Sequence, residues 1–282
     1  GDNRLNIYTV RKATQGLAAY LKSRFDSADV AISFDSRIKS DLFAREAARV
    51  LAGNGIRVHI FTELQPTPVL SFAVRELGCQ AGIMVTASHN PSKYNGYKCY
   101  GSDGCQMTDY DAGEVTKFIR NVDLFQGVTV AEYDDAVKAG RISEIPCSFV
   151  EKFLACVGEQ QVNPGICGKI PLSVVYTPLN GTGNKPVREI LRRIGVKSVS
   201  VVPEQELPDG DFPTAPYPNP EIRQAFECAI RLAGAVRPDI LLATDPDCDR
   251  VGMAVADGGD YRLMTGNEIG CLLLHYILSC KS

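Results

Sequence analysis

The sequence predicts an α/β protein in which parallel strands alternate with helices. Short apolar runs are separated by segments with helical periodicity, and polar loops follow the apolar runs. Residues typical of turns lie between these segments. Because a strand, a helix and a second strand normally form a right-handed parallel crossover, this alternation indicates parallel sheets. At 282 residues, 45% of them hydrophobic, the chain is long enough for one large or two ordinary domains.

The first half of the chain shows this alternation in order. The predicted strands are residues 30–34 and 56–60, and the predicted helices are residues 41–52 and 66–77. Glycines at positions 53 and 55 end the first of these helices, as is common at helix C-termini. The second helix leads into an apolar strand that ends just before Ser88. We therefore expect a first α/β domain.

The second half repeats the plan. The predicted helices are residues 149–157 and 185–194, and the predicted strands are residues 172–176 and 198–202. A polar, turn-rich stretch at residues 160–165 suits a domain boundary. Near the end of this half, Asp257-Gly258-Gly259-Asp260 predicts a β-hairpin.

An acidic loop directly after an apolar strand is the most informative segment. Asp245, Asp247 and Asp249 alternate after the run at residues 240–243, and Arg250 follows at once. Ligands collect at the carboxyl ends of parallel strands, and three carboxylates suit a hard cation such as Mg²⁺. A solvated acidic turn is the alternative, since Asp and Pro are common in turns. The pattern favours a Mg²⁺ site that a phosphate oxygen completes.

A second polar loop follows another apolar strand. Residues 82–85 lead into Thr86-Ala87-Ser88-His89-Asn90-Pro91. A serine at a strand end can act as a nucleophile or carry a phosphate when a base or a metal stabilises its charged forms. The absence of a Gly-x-Ser-x-Gly elbow argues against an α/β-hydrolase. Alone, the segment also fits an ordinary turn.

Taken together, the two loops resemble those of the α-D-phosphohexomutase superfamily, the phosphoglucomutases and phosphomannomutases. Other similar segments extend the resemblance over nearly the whole chain: Asp35-Ser36-Arg37, Asn95-Gly96-Tyr97-Lys98, Phe212-Pro213-Thr214, Pro218-Asn219-Pro220-Glu221 and Thr265-Gly266-Asn267-Glu268. Residues 84–98 and 177–183 are most similar to the branch that contains bacterial α-phosphoglucomutases and phosphopentomutases.

The resemblance implies two consecutive three-layer α/β/α domains of mixed, mainly parallel sheet, followed by the first helix of a missing third domain. Residues 1–160 are expected to form domain I with the serine loop, residues 161–260 domain II with the metal loop, and residues 261–282 the start of domain III. The chain is expected to be a fragment truncated at both ends, because residues 1–4 lack the arginine–glycine loop of the family.

The implied reaction is reversible phosphoryl transfer between the 1-position and a distal hydroxyl of a sugar phosphate. Glucose 1-phosphate to glucose 6-phosphate is the first expectation, and mannose, glucosamine and pentose phosphates remain open. Ser88 would carry the phosphoryl group and, with Asp245, Asp247 and Asp249, hold Mg²⁺. Glucose 1,6-bisphosphate would serve as activator and intermediate.

Five further side chains receive supporting roles from the resemblance. His89 and Lys98 are candidates for proton transfer, with Lys98 favoured, although Lys98 equally fits a plain phosphate contact. Arg250 is expected to bind phosphate through its donor fork. Asn90 is expected to shape the serine loop beside the substrate. Arg37 either supports that loop and its phosphate or pairs with a neighbouring aspartate.

Other function classes stay open. The fragment is expected to be inactive or weakly active, so a catalytically silent module that binds sugar phosphate or metal is one alternative. A phosphatase-like hydrolase is another, because water can also accept a phosphoryl group. The segment Gly181-Thr182-Gly183 fits either an anion site at a helix N-terminus or, more simply, a turn.

Composition excludes several partners. A net charge of −3 gives no reason to propose nucleic acid, and no apolar run reaches the roughly 18 residues of a membrane helix. Ten cysteines without a CxxC pair indicate reduced thiols in a cytoplasmic enzyme, and three separated histidines argue against zinc. Residues 269–278 predict an amphipathic or buried helix. The oligomeric state stays open.

Overall fold

The computed structural model describes residues 5–281 of the chain. They form two compact units: the first extends to Ala87 and resumes at Tyr94–Cys147, and the second consists of Ser88–Lys93 and the described residues from Ser148 onward. Residues 1–4, on which the expected truncation at the N-terminal end was based, lie outside the described residues. The predicted domain boundaries at residues 160 and 260 remain predictions.

The first unit is built around a five-stranded sheet with the order β4-β3-β1-β2-β5. Its elements are α1 (Ile7–Arg24), β1 (Asp29–Phe34), α2 (Ser40–Gly53), β2 (Arg57–Phe61), α3 (Thr67–Glu76), β3 (Ala81–Val85), β4 (Tyr97–Gly101), α4 (Asp109–Arg120), α5 (Tyr133–Lys138) and β5 (Ile142–Ile145). Strands β3, β1, β2 and β5 are parallel, and β4 runs antiparallel to β3. Since Phe34 lies opposite Val85, the loops after β1 and β3 leave the same sheet edge.

Alternation along β1 places helices on both faces of this sheet. Val30 and Ile32 point into a core shared with α1 and α2, as expected for side chains two residues apart on a strand. On the other face, Gly82 of β3 packs against Val74 of α3, and an added Cβ would lie 2.6 Å from the Val74 Cγ2 atom. Burial of both faces explains why these strands are almost wholly apolar.

Helix α1 was not predicted, yet its start carries a clear local signal. The Asn6 side chain accepts hydrogen bonds from the Tyr8 and Thr9 amides, and the Thr9 hydroxyl accepts one from the Asn6 amide. This capping box satisfies amide groups that have no partner inside the helix. Leu17 and Leu21, one turn apart, are buried against the core.

The second unit contains a five-stranded sheet with the order β10-β9-β8-β6-β7. Its elements are α6 (Ser148–Gly158), α7 (Ile166–Lys169), β6 (Ser173–Thr177), α8 (Asn184–Arg193), β7 (Ser198–Val201), α9 (Pro203–Glu206), α10 (Arg223–Val236), β8 (Ile240–Thr244), β9 (Val251–Asp257), β10 (Asp260–Met264) and α11 (Gly266–Lys281). Strands β7, β6 and β8 are parallel, whereas β9 and β10 are antiparallel.

Helices also cover both faces of this second sheet. Val175 and Leu241 pack with Phe226 of α10, whereas Tyr176 packs with Leu191 of α8. The α/β fold class, with mixed and mainly parallel five-stranded sheets, is confirmed. The alternation of strands and helices predicted the parallel part of each sheet, and the family resemblance implied its mixed character.

The predicted hairpin is confirmed between β9 and β10. Asp257 pairs with Asp260, and the two intervening glycines have φ values of 58° and 95°. A two-residue turn with positive φ at both positions matches the right-handed twist of the strands, and glycine adopts it without steric cost.

Helix α11 includes the predicted helix at residues 269–278, but its leucines are not buried. Leu272, Leu273, Leu274 and Leu278 are between 53% and 60% exposed. Within residues 5–281, no helix combines the length and the apolar character that crossing a bilayer requires. The interpretation of residues 261–282 as the start of a third domain stays a prediction.

Candidate active site

The aspartate loop, residues 245–250, connects the antiparallel strands β8 and β9. Asp245 and Asp247 are 0% exposed, and Asp249 is exposed. One carboxylate oxygen from each lies within 4.8 Å of the others. The Cys248 amide donates to the Asp245 carbonyl at 2.9 Å, and Cys248 has a φ of 54°. This tight turn brings the alternating carboxylates together.

Asp245 organises the loop as well as contributing charge to it. Its Oδ1 atom accepts hydrogen bonds from the Asp249 amide at 3.2 Å and the Arg250 amide at 3.0 Å. Burial, followed by the negative charges of Asp247 and Asp249, raises the pKa of the Asp245 carboxyl. A divalent cation would offset this concentration of negative charge, so the donor set fits a hard ion such as Mg²⁺.

Ser88 contacts the aspartate loop directly. Its Oγ atom donates a 2.7 Å hydrogen bond to Asp245 Oδ2, and the same Oγ lies 3.3 Å from His89 Nδ1. The segment Ser88–Lys93 belongs to the same unit as the aspartate loop. Ser88 has a φ of 52°, a left-handed conformation that is uncommon for residues other than glycine. The structure thus places the predicted serine beside a predicted metal ligand.

His89 and Arg250 lie close enough to influence each other. Burial, and then the positive charge of Arg250, lowers the pKa of the His89 imidazole against the opposing charges of nearby carboxylates. This shift favours the uncharged form of the imidazole. A neutral imidazole can accept a proton.

Glu221 is a site residue that the sequence analysis did not single out. Its Oε1 atom lies 3.6 Å from Arg250 Nη1, and the two side chains are 54% and 39% exposed. An ion pair this exposed is weak, so Glu221 does little to fix the position of the guanidinium. The signal in the sequence was its position in Pro218-Asn219-Pro220-Glu221, which carries no distinctive chemistry of its own.

Arg37 is buried in the first unit against an aspartate. Its Nε atom lies 3.2 Å from Asp35 Oδ2, and the two side chains are 1% and 0% exposed. Its Nη1 atom donates to the Tyr94 carbonyl at 2.9 Å. Pairing with the neighbouring aspartate is thus one of the two arrangements left open by the sequence, and the contact with Tyr94 is consistent with support of the serine loop.

Asp35 belongs to a hydrogen-bond network that includes Thr86, which precedes the serine segment, and Asn95, which follows it. It accepts from the Thr86 hydroxyl at 2.6 Å and from the Ser40 hydroxyl at 2.9 Å, and Ser40 in turn accepts from Asn95 Nδ2 at 2.9 Å. Burial raises the pKa of Asp35 to about 6, although Arg37 opposes the increase. Sequence reasoning did not find this network, because its hydrogen-bonded pairs are up to 55 positions apart.

The remaining two predicted residues occupy different settings. Lys98 is half-buried on β4 of the first unit, opposite Met84 of β3. Asn90 is exposed in the segment Ser88–Lys93 of the second unit. Their expected roles in proton transfer and loop shaping remain predictions.

Two family models match the chain. One is described as phosphoglucomutase/phosphomannomutase, alpha/beta/alpha domain I, and matches residues 1–125; the other describes domain II and matches residues 149–259. These matches cover both of the loops that carry the site.

Curated relatives cover the chain almost completely. A phosphoglucomutase of Staphylococcus saprophyticus is 38% identical over 279 residues, which are 97% of this chain and 49% of the relative. A phosphoglucomutase of Staphylococcus aureus is 39% identical over 280 residues, which are 98% of this chain and 49% of the relative. The chain therefore spans about half the length of these relatives.

A solved structure supports the fold. A phosphoglucomutase/phosphomannomutase family protein from Burkholderia thailandensis superposes with a TM-score of 0.78 at 20% identity, covering 98% of this chain and 56% of that protein. At this identity the likeness concerns the fold alone. From the family matches and the curated relatives, we conclude that the chain belongs to the α-D-phosphohexomutase superfamily and carries its domains I and II.

Proposed function

We propose that this chain is the phosphoserine-bearing part of a phosphosugar mutase that interconverts glucose 1-phosphate and glucose 6-phosphate. The observation that carries the proposal is the 2.7 Å hydrogen bond from Ser88 Oγ to Asp245 within a cluster of three carboxylates. The name phosphoglucomutase on relatives 38% to 39% identical supports glucose phosphate over mannose or pentose phosphate.

In this proposal Asp245, Asp247 and Asp249 hold Mg²⁺ together with an oxygen on Ser88. Bound there, the ion would offset negative charge on the oxygens of a transferring phosphoryl group. Support comes from the charge at the site: after burial, the negative charges of Asp247 and Asp249 raise the pKa of Asp245, and a cation would offset those same charges. The burial of Asp245 and Asp247 strengthens any charge–charge attraction at the site.

The proposed transfer begins with Ser88 phosphorylated. A free hydroxyl of the sugar phosphate attacks phosphorus, the bond from phosphorus to Ser88 Oγ breaks, and a sugar bisphosphate forms. The hydroxyl proton passes to a protein base, and Ser88 Oγ takes up a proton. After reorientation of glucose 1,6-bisphosphate, its other phosphoryl group returns to Ser88 by the reverse steps, which leaves the isomeric monophosphate.

Proton transfer has two candidates. His89 is supported by the lowered pKa of its imidazole, which favours the form that can accept a proton, and by the 3.3 Å distance from Nδ1 to Ser88 Oγ. Lys98 is supported by family resemblance. Replacement of Lys98 by Arg separates its two possible roles, because Arg keeps the positive charge for a phosphate contact but is always protonated and cannot exchange a proton.

Arg250 is proposed to bind the phosphate group of the substrate that is not being transferred. Its guanidinium can form paired hydrogen bonds to phosphate oxygens, which are stronger than the 3.6 Å contact with Glu221. In this view the phosphate group replaces Glu221 as the partner of the guanidinium.

The test is mass spectrometry of the intact chain and its peptides after incubation with glucose 1,6-bisphosphate and Mg²⁺. One added phosphoryl group on Ser88 is expected, and label on a different residue contradicts the proposal. Assays of the same samples discriminate the alternatives. Sugar-phosphate isomerisation supports the mutase, release of inorganic phosphate supports a hydrolase, and Mg²⁺ binding without transfer supports a silent binding module.

A further inference from the structure

A second loop of the same unit packs against the aspartate loop. We call residues 178–183, which follow strand β6, the glycine loop. Its Thr182 amide donates a 2.8 Å hydrogen bond to the carbonyl of Pro246. Pro246 lies between Asp245 and Asp247, so this bond holds the peptide that joins two of the clustered carboxylates.

Gly181 makes that approach possible. A Cβ atom at Gly181 would lie 2.6 Å from the Pro246 carbonyl oxygen and 2.9 Å from its carbonyl carbon. Both distances are well inside van der Waals contact. The atoms involved are main-chain atoms of the aspartate loop, so they cannot move without moving the loop itself.

Gly183 makes a second close approach to residues of the same loop. A Cβ atom there would lie 2.6 Å from Thr244 Oγ1 and 3.0 Å from Cys248 Sγ, and it would also overlap the Tyr176 hydroxyl. The Tyr176 and Thr244 hydroxyls are buried and hydrogen-bonded to each other at 2.8 Å. Thr244 precedes Asp245 and Cys248 precedes Asp249, so the contact supports both ends of the carboxylate cluster.

We propose that Gly181 and Gly183 are positioning residues that set the spacing of the three carboxylates for a divalent cation. The inference rests on the proposed Mg²⁺ site and deepens it. Mg²⁺ requires nearly ideal octahedral geometry with short bonds to oxygen, so a small displacement of Asp245 or Asp247 weakens its binding. Gly181 and Gly183 thus act through their lack of side chains, which is compatible with the interpretation of residues 181–183 as a turn.

The test is calorimetric titration of Mg²⁺ into the full chain and into Gly181→Ala and Gly183→Ala. We expect Gly181→Ala to weaken Mg²⁺ binding about tenfold or more, as loss of support around metal ligands commonly does. Gly183→Ala should weaken binding less, because its neighbours are side-chain atoms and not the main chain of the aspartate loop. Gly234→Ala in α10 is the matched control, because a Cβ there meets nothing within 4 Å. Its affinity should equal that of the parent chain.

Thermal unfolding of each variant separates positioning from general damage. A variant that remains folded at the titration temperature and binds Mg²⁺ as tightly as the parent overturns the inference. If both glycine variants fail to fold, amide hydrogen exchange of the parent chain with and without Mg²⁺ tests the inference instead. Mg²⁺ should slow exchange of the Thr182 amide relative to amides of α10, and an unchanged rate overturns the inference. A parent chain that binds no Mg²⁺ overturns the metal site itself, which is a distinguishable result.

Discussion

Ser88 Oγ donates a 2.7 Å hydrogen bond to Asp245 Oδ2 across a separation of 157 positions in the sequence. Both loops that make this contact contain a residue in the left-handed region, Ser88 with a φ of 52° and Cys248 with a φ of 54°. Such conformations are costly for residues other than glycine and persist where the surroundings enforce them. The contact therefore joins two loops whose shapes are maintained by tertiary packing.

Replacement of Ser88 by Ala should abolish phosphorylation of the chain by glucose 1,6-bisphosphate. The reason is that the substitution removes the hydroxyl that would carry the phosphoryl group, together with its hydrogen bond to Asp245. Phosphopeptide mass spectrometry measures the result. Ser92→Ala, in the same segment, is the control and should be phosphorylated normally. Label at the same level in Ser88→Ala would refute the assignment.

Replacement of Asp247 by Asn should weaken Mg²⁺ binding about tenfold or more, because even indirect support of a metal ligand is commonly worth that much. The substitution removes one negative charge from a buried cluster with little change in volume. Isothermal titration calorimetry gives the affinity directly. Asp257→Asn, at the exposed end of β9, serves as the control. Equal affinities in the two variants would be incompatible with a metal site at residues 245–249.

The stability of the first unit should decrease as the pH rises from about 4 to about 6. Burial raises the pKa of Asp35 from 3.8 to about 6, so in this window the folded chain retains a proton that the unfolded chain releases. Linkage then makes ionisation oppose folding by about 3 kcal/mol across the window, and the contribution of this group is constant above it.

Urea unfolding at several pH values tests that dependence. Asp35→Asn cannot ionise, so its stability should vary less than that of the parent between pH 4 and pH 6. The comparison uses the pH slope, because the substitution also alters the hydrogen bonds from Thr86 and Ser40. Identical slopes would mean that Asp35 does not titrate in this window.

Replacement of Ile32 by Ala should destabilise the first unit by about 3 kcal/mol, since the side chain is fully buried in the centre of β1. Ile38→Ala removes the same atoms from an exposed position and should change stability by less than about 0.5 kcal/mol. Chemical denaturation of both variants gives the comparison. Similar losses would show that β1 is not the centre of the core.

Local patterns predicted many elements closely. The helix expected at residues 66–77 is Thr67–Glu76, and the helix expected at residues 41–52 is Ser40–Gly53. These agreements arise because hydrophobic period and the glycine and proline signals at helix ends act within a few residues. The left-handed turn of Gly258 and Gly259 was predictable for the same reason.

Features that depend on neighbours could not be predicted in this way. The leucines of α11 have the composition of a buried helix but are exposed, because burial depends on which surface lies against a helix. The hydrogen-bond network around Asp35 could not be predicted, because serine, threonine and asparagine are common in loops and their presence does not identify their partners. Their relevance appears only when the partners meet.

The sequence alone determined which functional groups the candidate site contains. They lie in two short segments: a serine after one strand, and alternating carboxylates after another. Residue type and local period carry that information, because neither requires contact with distant segments. The meeting of Ser88 with Asp245 and the close approach of Gly181 to Pro246 arise from folding in three dimensions. Such contacts depend on how strands are ordered in a sheet and how closely their loops pack, and therefore on every element of the unit at once.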